Sequence, residues 1–460
     1  MDSSTIRFGT DGWRGVIADD FTFENVRRVA QATADFWKSQ KLPKTAIVGY
    51  DNRFLSEVFA KLTCEVFAAN GIRALYPPTV VPTPAVSYAV RDRNLCGAIM
   101  ITASHNPPHF NGYKLKAHYA GPADAELCKG VERFLDKSPV RTTGGTIESY
   151  DPRPAHIAAI KKLVNLRQIR AANLRIVTDP MHGCGGRVIE ELVGGETIRA
   201  DRDVFFGGTN PEPIGKNLLP LCRAVKRARA DIGLAIDGDA DRLGIVDNNG
   251  RYVSIQLVFA LLLLHLLRNR GERTGLVVKS SNSTVLIDRI CRAHGLQFTE
   301  VPVGFKHICE QMRAHDVLIG GEESGGMGFR GHIPERDGIL ANLMMLELLA
   351  TTGKPLSQLT AELQREFGRS VYDRIDMPYP LEKRDRLMAH LREKPPGKLC
   401  GVALAEVKTY DGVKYIAKDD SWLMFRTSGT EPIIRIYSEA TSAVRVKDLL
   451  AHGRRLALRF

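Results

Sequence analysis

The chain has 460 residues, of which 44% are hydrophobic and 25% are charged, and its net charge is +12. This length exceeds what one hydrophobic core supports and predicts three or four domains of roughly 100–150 residues each. The positive charge is spread along the chain without an aromatic-interleaved basic stripe, so we expect an anionic small molecule and no nucleic acid as partner.

The cysteines and the apolar runs favour a cytoplasmic protein without a membrane partner. The eight cysteines form no Cys-x-x-Cys pair, and several lie inside apolar runs, as buried reduced thiols do. The N-terminus has no signal-peptide pattern. The most apolar stretch, residues 257–267, contains His265 and is shorter than the about 20 residues that a membrane span needs. We expect it to form a core helix.

Three times along the chain, an apolar run ends in a small polar loop that a helical pattern follows. The runs cover residues 46–50, 174–177 and 275–278. This alternation is typical of βα units, which build parallel sheets covered by helices. We therefore predict an α/β fold with three topologically similar α/β domains and a smaller α+β C-terminal domain.

Polar segments that carry proline or glycine mark the candidate domain boundaries. They lie at residues 148–154, 250–251 and 368–380, and the Met-Pro-Tyr-Pro run within the last is expected to break any regular element. The predicted domains are residues 1–150, 151–252, 253–370 and 371–460.

The serine loop, residues 102–107, reads Thr-Ala-Ser-His-Asn-Pro and follows an apolar run. The run predicts a buried strand, and the prolines stiffen the loop. Ser104 is therefore a candidate phosphoryl carrier, with His105 and Lys114 as partners for the phosphate oxygens. The alternative is a serine that only caps a helix.

The acidic loop, residues 237–242, carries Asp237, Asp239 and Asp241 directly after a strand-like run. Three carboxylates so close together repel one another unless a cation lies among them, and oxygen ligands favour a hard ion such as Mg²⁺. The alternative is a solvated acidic turn. An EF-hand is excluded because Asn248 stands where that loop needs a glutamate.

Two further loops suit a sugar phosphate. The sugar loop, residues 320–326, places Glu322, Glu323 and Ser324 between glycines, so that oxygen acceptors and the backbone can approach sugar hydroxyls. The phosphate loop, residues 426–432, combines arginine, hydroxyls and a glycine amide into a candidate anion cradle. The plainer alternative is a glycine-rich surface turn for the sugar loop and a β-turn for the phosphate loop. Weaker signals place Arg14 and Lys306 on further loops.

These four loops, in this order, resemble those of the α-D-phosphohexomutase family, which includes phosphoglucomutases, phosphomannomutases and phosphoglucosamine mutases. The resemblance covers nearly the whole chain and implies four domains around a central cleft. It implies a hexose phosphate substrate, Mg²⁺ as cofactor and a monomer or homodimer. It also implies that a phosphoserine interconverts hexose 1- and 6-phosphates through a hexose 1,6-bisphosphate.

The resemblance also implies roles for the matching residues. Ser104 matches the phosphoserine and is one of the metal ligands, which are Ser104, Asp237, Asp239 and Asp241. The candidate catalytic residues are Ser104, His105, Lys114 and Arg14, and the last three are the candidate general bases. The candidate substrate contacts are Lys306, Glu322, Ser324, Arg426, Ser428, Gly429, Thr430 and Arg435. Further cleft positions are Arg242, Lys279 and His332.

Glu323 favours glucose phosphate, with glucose 1,6-bisphosphate as activator and intermediate. Dual-specificity phosphomannomutase/phosphoglucomutases have a similar loop, but they carry methionine at the position of Glu323. Glucosamine enzymes carry glutamine there. Both classes of enzyme have histidine at the position of Gly326, where it is a candidate acid–base group. His332 and Lys306 are the candidates to take its place in this chain. Mannose phosphate remains the alternative, and a glucosamine phosphate is less favoured. A magnesium-dependent phosphatase that uses Asp237 and Asp239, and a non-catalytic sugar-phosphate-binding protein, are the alternatives from other classes.

Overall fold

The computed structural model describes residues 6–9, 11–427 and 432–460. The chain divides into two compact units. The first comprises Met1–Val253 and Gly304–Ser357, and the second comprises Ser254–Val303 and Gln358–Phe460. None of the described helices has the combination of length and hydropathy that a membrane span requires. The eight cysteines are free thiols, as their spacing predicts.

Strands and helices are numbered in chain order. The strands are β1 (Trp13–Val16), β2 (Thr45–Tyr50), β3 (Arg73–Tyr76), β4 (Gly97–Ile101), β5 (Phe110–Ala117), β6 (Ile147–Ser149), β7 (Ile176–Asp179), β8 (Glu196–Thr197), β9 (Ile232–Ile236), β10 (Leu243–Val246), β11 (Tyr252–Val253), β12 (Leu276–Ser280), β13 (Phe298–Val301), β14 (Val317–Gly321), β15 (Met327–Phe329), β16 (Val371–Pro378), β17 (Lys398–Leu399), β18 (Val402–Lys408), β19 (Val413–Ala417), β20 (Trp422–Thr427) and β21 (Ile433–Ala440). The helices are α1 (Phe23–Ser39), α2 (Ser56–Ala69), α3 (Thr83–Asp92), α4 (Ala125–Glu132), α5 (Arg153–Ile160), α6 (Leu166–Ala171), α7 (Val188–Val193), α8 (Leu219–Ala228), α9 (Ile255–Leu264), α10 (Val285–His294), α11 (Phe305–Ala314), α12 (Gly338–Thr352), α13 (Leu356–Phe367), α14 (Leu381–Glu393) and α15 (Ala443–Ala457).

The first sheet of the first unit presents the serine loop at the end of a buried strand. Its order is β1-β5-β4-β2-β3-β6, with β2 parallel to β3 and β4, and with β5 antiparallel to β4. All five residues of β4 are buried, and the strand packs against α2 and α3. A short apolar strand that is covered by helices is the parallel-sheet pattern that the sequence predicts.

The second sheet of the first unit carries the acidic loop. Its order is β11-β10-β9-β7-β8, with β9 parallel to β7 and antiparallel to β10. All residues of β9 are buried, and α8 and α12 pack against it. Because β10 begins immediately after residues 237–242, the acidic loop is a tight connection between two buried strands.

The sugar loop connects β14 and β15, which pair in antiparallel fashion within the first unit. Helix α12 follows and is buried along most of its length. Asp337 caps this helix because its carboxylate accepts the backbone N–H groups of Ile339 and Leu340.

The second unit contains the parallel pair β12 and β13 and a six-stranded antiparallel sheet of order β16-β21-β20-β19-β18-β17. The apolar run at residues 257–267 lies in α9 and the wider helical turn after it, and residues 258–267 are all buried. The sequence predicts that regular secondary structure breaks at residues 377–380, but in the structure the strand continues into this run. Strand β16 pairs with β21 as far as Pro378, which an edge strand tolerates because proline lacks only a backbone donor.

Candidate active site

Ser104 lies immediately beyond β4 and is buried, with 1% of its surface exposed. Its φ is 52°, a left-handed conformation that is uncommon outside glycine and that concentrates at functional sites. The Ser104 N–H donates to Thr102 Oγ1 over 2.8 Å. The Ser104 hydroxyl then donates to Asp237 Oδ2 over 3.0 Å. The structure thereby brings the serine loop and the acidic loop into direct contact.

Glycine at position 238 permits this contact. A Cβ atom on Gly238 would approach the carbonyl oxygen of Ser104 to 2.6 Å, which is too close for any other residue. The acidic loop is held from within as well, because Asp237 Oδ1 accepts the N–H groups of Asp241 and Arg242 over 2.9 and 3.0 Å.

The three aspartates of the acidic loop are placed so that they could hold a cation. All three are completely buried, and ligand oxygens from each lie within 4.8 Å of one another. Asp239 Oδ1 and Asp241 Oδ1 have no hydrogen-bond partner among the described residues. Burial, together with the charges of Asp241 and Asp239, raises the pKa of Asp237 well above its usual value. Unpaired oxygens and crowded negative charge fit a hard divalent ion.

Lys114 supplies positive charge beside this triad. Its Nζ lies 2.7 Å from Asp239 Oδ2, 3.2 Å from Asp241 Oδ2 and 2.9 Å from Asp11 Oδ2. Burial alone would lower the pKa of Lys114, but the three carboxylates outweigh it and raise the pKa well above the usual value. Lys114 therefore stays protonated at neutral pH, and in this arrangement it has no lone pair with which to accept a proton.

Arg336 and Asp11 belong to the same cluster, although the sequence analysis gave neither of them a role. Arg336 Nη2 lies 2.7 Å from Asp11 Oδ2 and 2.7 Å from Asp241 Oδ2, and its Nη1 lies 3.3 Å from Glu322 Oε2. No local pattern in the sequence points to the contact between Arg336 and Asp11, because the two residues lie 325 positions apart in the chain.

The sugar loop is fixed against the acidic loop by main-chain contacts. Arg242 pairs with Gly326 as an isolated bridge, and the N–H of Leu243 donates to Gly325 O over 3.1 Å. Glu322 is buried; its Oε1 accepts the N–H of Gly304 over 3.0 Å. Glu323 and Ser324 are half-buried.

Gly326 packs tightly against Arg336. A Cβ atom there would come within 2.2 Å of Arg336 Cδ. The space that a side chain at position 326 would need is thus filled by the Arg336 side chain.

His105 belongs to the serine loop, and Arg14 lies beside that loop in strand β1, not on a loop as the sequence predicts. Arg14 Nη1 donates to Asn106 Oδ1. His105 Nδ1 is buried and has no hydrogen-bond partner in the described part of the chain. Burial and the positive charges of Arg242 and Arg14 lower the pKa of His105 well below its usual value, so the ring is neutral at pH 7.

His332 is engaged with the cap of α12. Its Nε2 and that of His156 lie 3.0 and 2.6 Å from Asp337 Oδ2. These are hydrogen-bond distances. The three residues therefore form a hydrogen-bonded helix cap.

The remaining predicted residues lie on other elements. Lys306 is half-buried in the first turn of α11, within the first unit. In the second unit, Lys279 is buried in β12 and forms ion pairs with Asp288 and, over 3.6 Å, with Glu300.

Arg426 marks the start of the phosphate loop at the end of β20. Its Nε donates to Asp411 Oδ1 over 2.9 Å, and it lines a cavity of about 260 Å³ together with Asp411, Gly412 and Thr427. Arg435 pairs with Arg426 in the register of β20 and β21. Ser428, Gly429 and Thr430 lie outside the described residues.

A buried serine hydroxyl beside a carboxylate triad that could hold a cation, at the ends of strands in α/β sheets, is suited to phosphoryl transfer. Family models of phosphoglucomutase/phosphomannomutase match the chain in order: the alpha/beta/alpha domains I, II and III at residues 5–140, 154–250 and 256–367, and the C-terminal domain at residues 387–455. The chain belongs to this family, the α-D-phosphohexomutases. The resemblance and the fold class predicted from the sequence are confirmed.

Individual relatives match over the full length of the chain. A Thermococcus kodakarensis protein named "Phosphoglucomutase/phosphomannomutase" is 31% identical over 98% of both chains. A Pyrococcus abyssi protein named "Probable phosphoglucosamine mutase" is 30% identical over 98% of this chain and 97% of its own. A crystal structure described as a "putative phosphomannomutase" from Thermus thermophilus is 36% identical, with a TM-score of 0.88 over 99% of both chains.

The chain is accordingly a phosphohexomutase, an isomerase that works by phosphoryl transfer. The relatives' names cover three hexoses, so the choice of hexose rests on the residues of the sugar loop.

Proposed function

We propose that this protein is a magnesium-dependent phosphoglucomutase that interconverts α-D-glucose 1-phosphate and glucose 6-phosphate. The observation that carries the proposal is the 3.0 Å contact between Ser104 Oγ and Asp237 Oδ2 inside a buried carboxylate triad. It supports Ser104 as the phosphoryl carrier, with glucose 1,6-bisphosphate as intermediate and activator.

Asp237, Asp239 and Asp241, together with the oxygens on Ser104, are the residues that would hold Mg²⁺. When bound, the ion neutralises charge on the transferring phosphoryl group. Lys114 and Arg336 keep the surrounding carboxylates in place and balance their charge.

In the first half-reaction, a bond forms between a sugar oxygen and phosphorus while the bond between Ser104 Oγ and phosphorus breaks. The hydroxyl proton of the sugar must pass to a base. Lys114 is ion-paired and Arg14 is bonded to Asn106, whereas His105 Nδ1 has no partner among the described residues. We therefore assign His105 as the candidate base. The second half-reaction is the reverse, after the bisphosphate has turned end for end.

Glucose is the proposed hexose because Glu323 occupies the variable position of the sugar loop and Gly326 leaves room for Arg336. Arg426, Ser428, Gly429 and Thr430 are proposed to hold the phosphate that is not reacting. The alternatives are a phosphomannomutase, as the Thermus thermophilus relative is named, and a dual enzyme, as the Thermococcus kodakarensis relative is named.

The proposal is tested by measuring rates with glucose, mannose, glucosamine and N-acetylglucosamine 1-phosphates side by side, with Mg²⁺ and the matching bisphosphate supplied. We expect the highest kcat/KM with glucose 1-phosphate, and no turnover by Ser104→Ala. A preference for mannose 1-phosphate would replace the glucose assignment. Release of inorganic phosphate without isomerisation would instead favour a phosphatase.

A further inference from the structure

Arg53 lies in the polar loop after β2, and the proposed chemistry gives it no part. Its side chain is completely buried. Nη1 donates to the carbonyl oxygens of Pro107 and Phe110 over 2.7 and 3.1 Å, and Nη2 donates to those of Ser104 and Asn106 over 2.7 Å each. One guanidinium therefore binds four main-chain carbonyls of the segment that holds the candidate phosphoserine.

A second contact from the same loop holds the other side of Ser104. Asp51 Oδ2 accepts the Thr102 hydroxyl over 2.5 Å, and Thr102 Oγ1 accepts the Ser104 N–H over 2.8 Å. Asp51 Oδ2 also lies 3.2 Å from Arg53 Nε. The loop after β2 thus holds the carbonyl group of Ser104 directly through Arg53, and it holds the Ser104 N–H indirectly, because Asp51 fixes the Thr102 hydroxyl that accepts it.

The surroundings leave Arg53 little freedom. The Arg53 guanidinium lies 5.0 Å from the centroid of the Phe206 ring. The backbone N–H of Arg53 donates to Asp51 Oδ1 over 3.0 Å. A planar guanidinium with donors in fixed directions can reach four acceptors at once, whereas a lysine ammonium cannot.

We propose that Arg53 is a positioning residue for phosphoryl transfer, an inference that rests on the proposed function. Ser104 has a φ of 52°, which a serine keeps only when its surroundings impose it. Arg53 and Thr102 impose it from the two ends of the residue, so that the hydroxyl points at Asp237. The buried positive charge of Arg53 also favours the serine loop in the state in which Ser104 is phosphorylated.

The test is Arg53→Lys, with Arg27→Lys as the matched control on an exposed part of α1. Lysine keeps the positive charge, but its ammonium group cannot donate to all four carbonyl oxygens that the Arg53 guanidinium contacts. We expect kcat with glucose 1-phosphate to fall by about 100-fold, the loss that a misplacement of about 1 Å can cause, while KM changes little. The rate at which glucose 1,6-bisphosphate phosphorylates Ser104 should fall in parallel. Arg27→Lys should match the wild type in both.

Two further variants keep the inference testable if Arg53→Lys folds poorly. Thr102→Val removes the acceptor of the Ser104 N–H at nearly constant volume and should show the same fall in kcat at constant KM. Arg53→Ala should regain activity with added guanidinium ion but not with ammonium ion. A wild-type kcat in Arg53→Lys, or equal rescue by both ions, would overturn the inference. A wild-type protein that turns over no hexose 1-phosphate would instead overturn the proposed function.

Discussion

Replacing Arg336 with methionine removes a cation that three carboxylates share, of which Asp241 and Glu322 are buried and Asp11 is 15% exposed. Arg336 Nη2 lies 2.7 Å from both Asp11 Oδ2 and Asp241 Oδ2, and only 4% of its side chain is exposed. Breaking a buried ion pair by removing one partner costs about 3–5 kcal/mol, because the remaining charge stays buried without compensation. Lys114 still contacts Asp11 and Asp241 in the variant and compensates part of their charge, so we expect the free energy of unfolding of Arg336→Met to fall by about 3 kcal/mol, the lower end of that range.

Arg330→Met provides the matched control in the same unit. Arg330 Nη2 also lies 2.7 Å from a carboxylate oxygen, but that oxygen belongs to Asp316, whose side chain is 68% exposed. Exposed ion pairs contribute about 0–1 kcal/mol. Urea unfolding followed by circular dichroism measures both losses under the same conditions. Equal losses in the two variants would refute the argument that burial, and not distance, sets the value of the Arg336 contacts.

The other predictions concern the second unit. Arg426→Ala should raise the KM for glucose 1-phosphate about 10-fold or more, since a charge-assisted hydrogen bond contributes about 1.5–3 kcal/mol; an unchanged KM would argue against a phosphate role. Burial acts to raise the pKa of Glu300, but the ammonium groups of Lys414 and Lys279 outweigh it and lower the pKa to about 2. Because the folded-state pKa lies below the unfolded one, the stabilisation is complete above pH 4.5 and is lost as pH falls towards 2. A pKa difference of about 2.5 corresponds to about 3 kcal/mol, so Glu300→Gln should be less stable than the wild type at pH 7 and nearly equal to it near pH 2. A stability difference that does not change with pH would contradict this reasoning.

The serine and acidic loops could be located from the sequence because their signals are local. Each follows a short run of buried apolar residues, and the end of such a strand is where a parallel sheet exposes its polar loops. The fold class followed from the same alternation of runs and loops.

The partners that complete the site could not be predicted in this way. Arg336 contacts Asp11 across 325 positions of the chain, and Arg53 binds carbonyl oxygens that carry no side-chain signature. Contacts of this kind depend on how distant segments pack, which periodicity and spacing do not encode. The same limit applies to β16, since its pairing with β21 extends a strand through a proline that local rules place in a break.

The central claim is that Ser104 carries the phosphoryl group on the path between the two sugar phosphates. The most direct measurement incubates the protein with radiolabelled glucose 1,6-bisphosphate and Mg²⁺, locates the label by peptide mass spectrometry, and then adds unlabelled glucose 1-phosphate. We expect one phosphoryl group on Ser104, its transfer to the added sugar phosphate, and no labelling of Ser104→Ala. Labelling at another residue, or wild-type turnover by Ser104→Ala, would contradict the account.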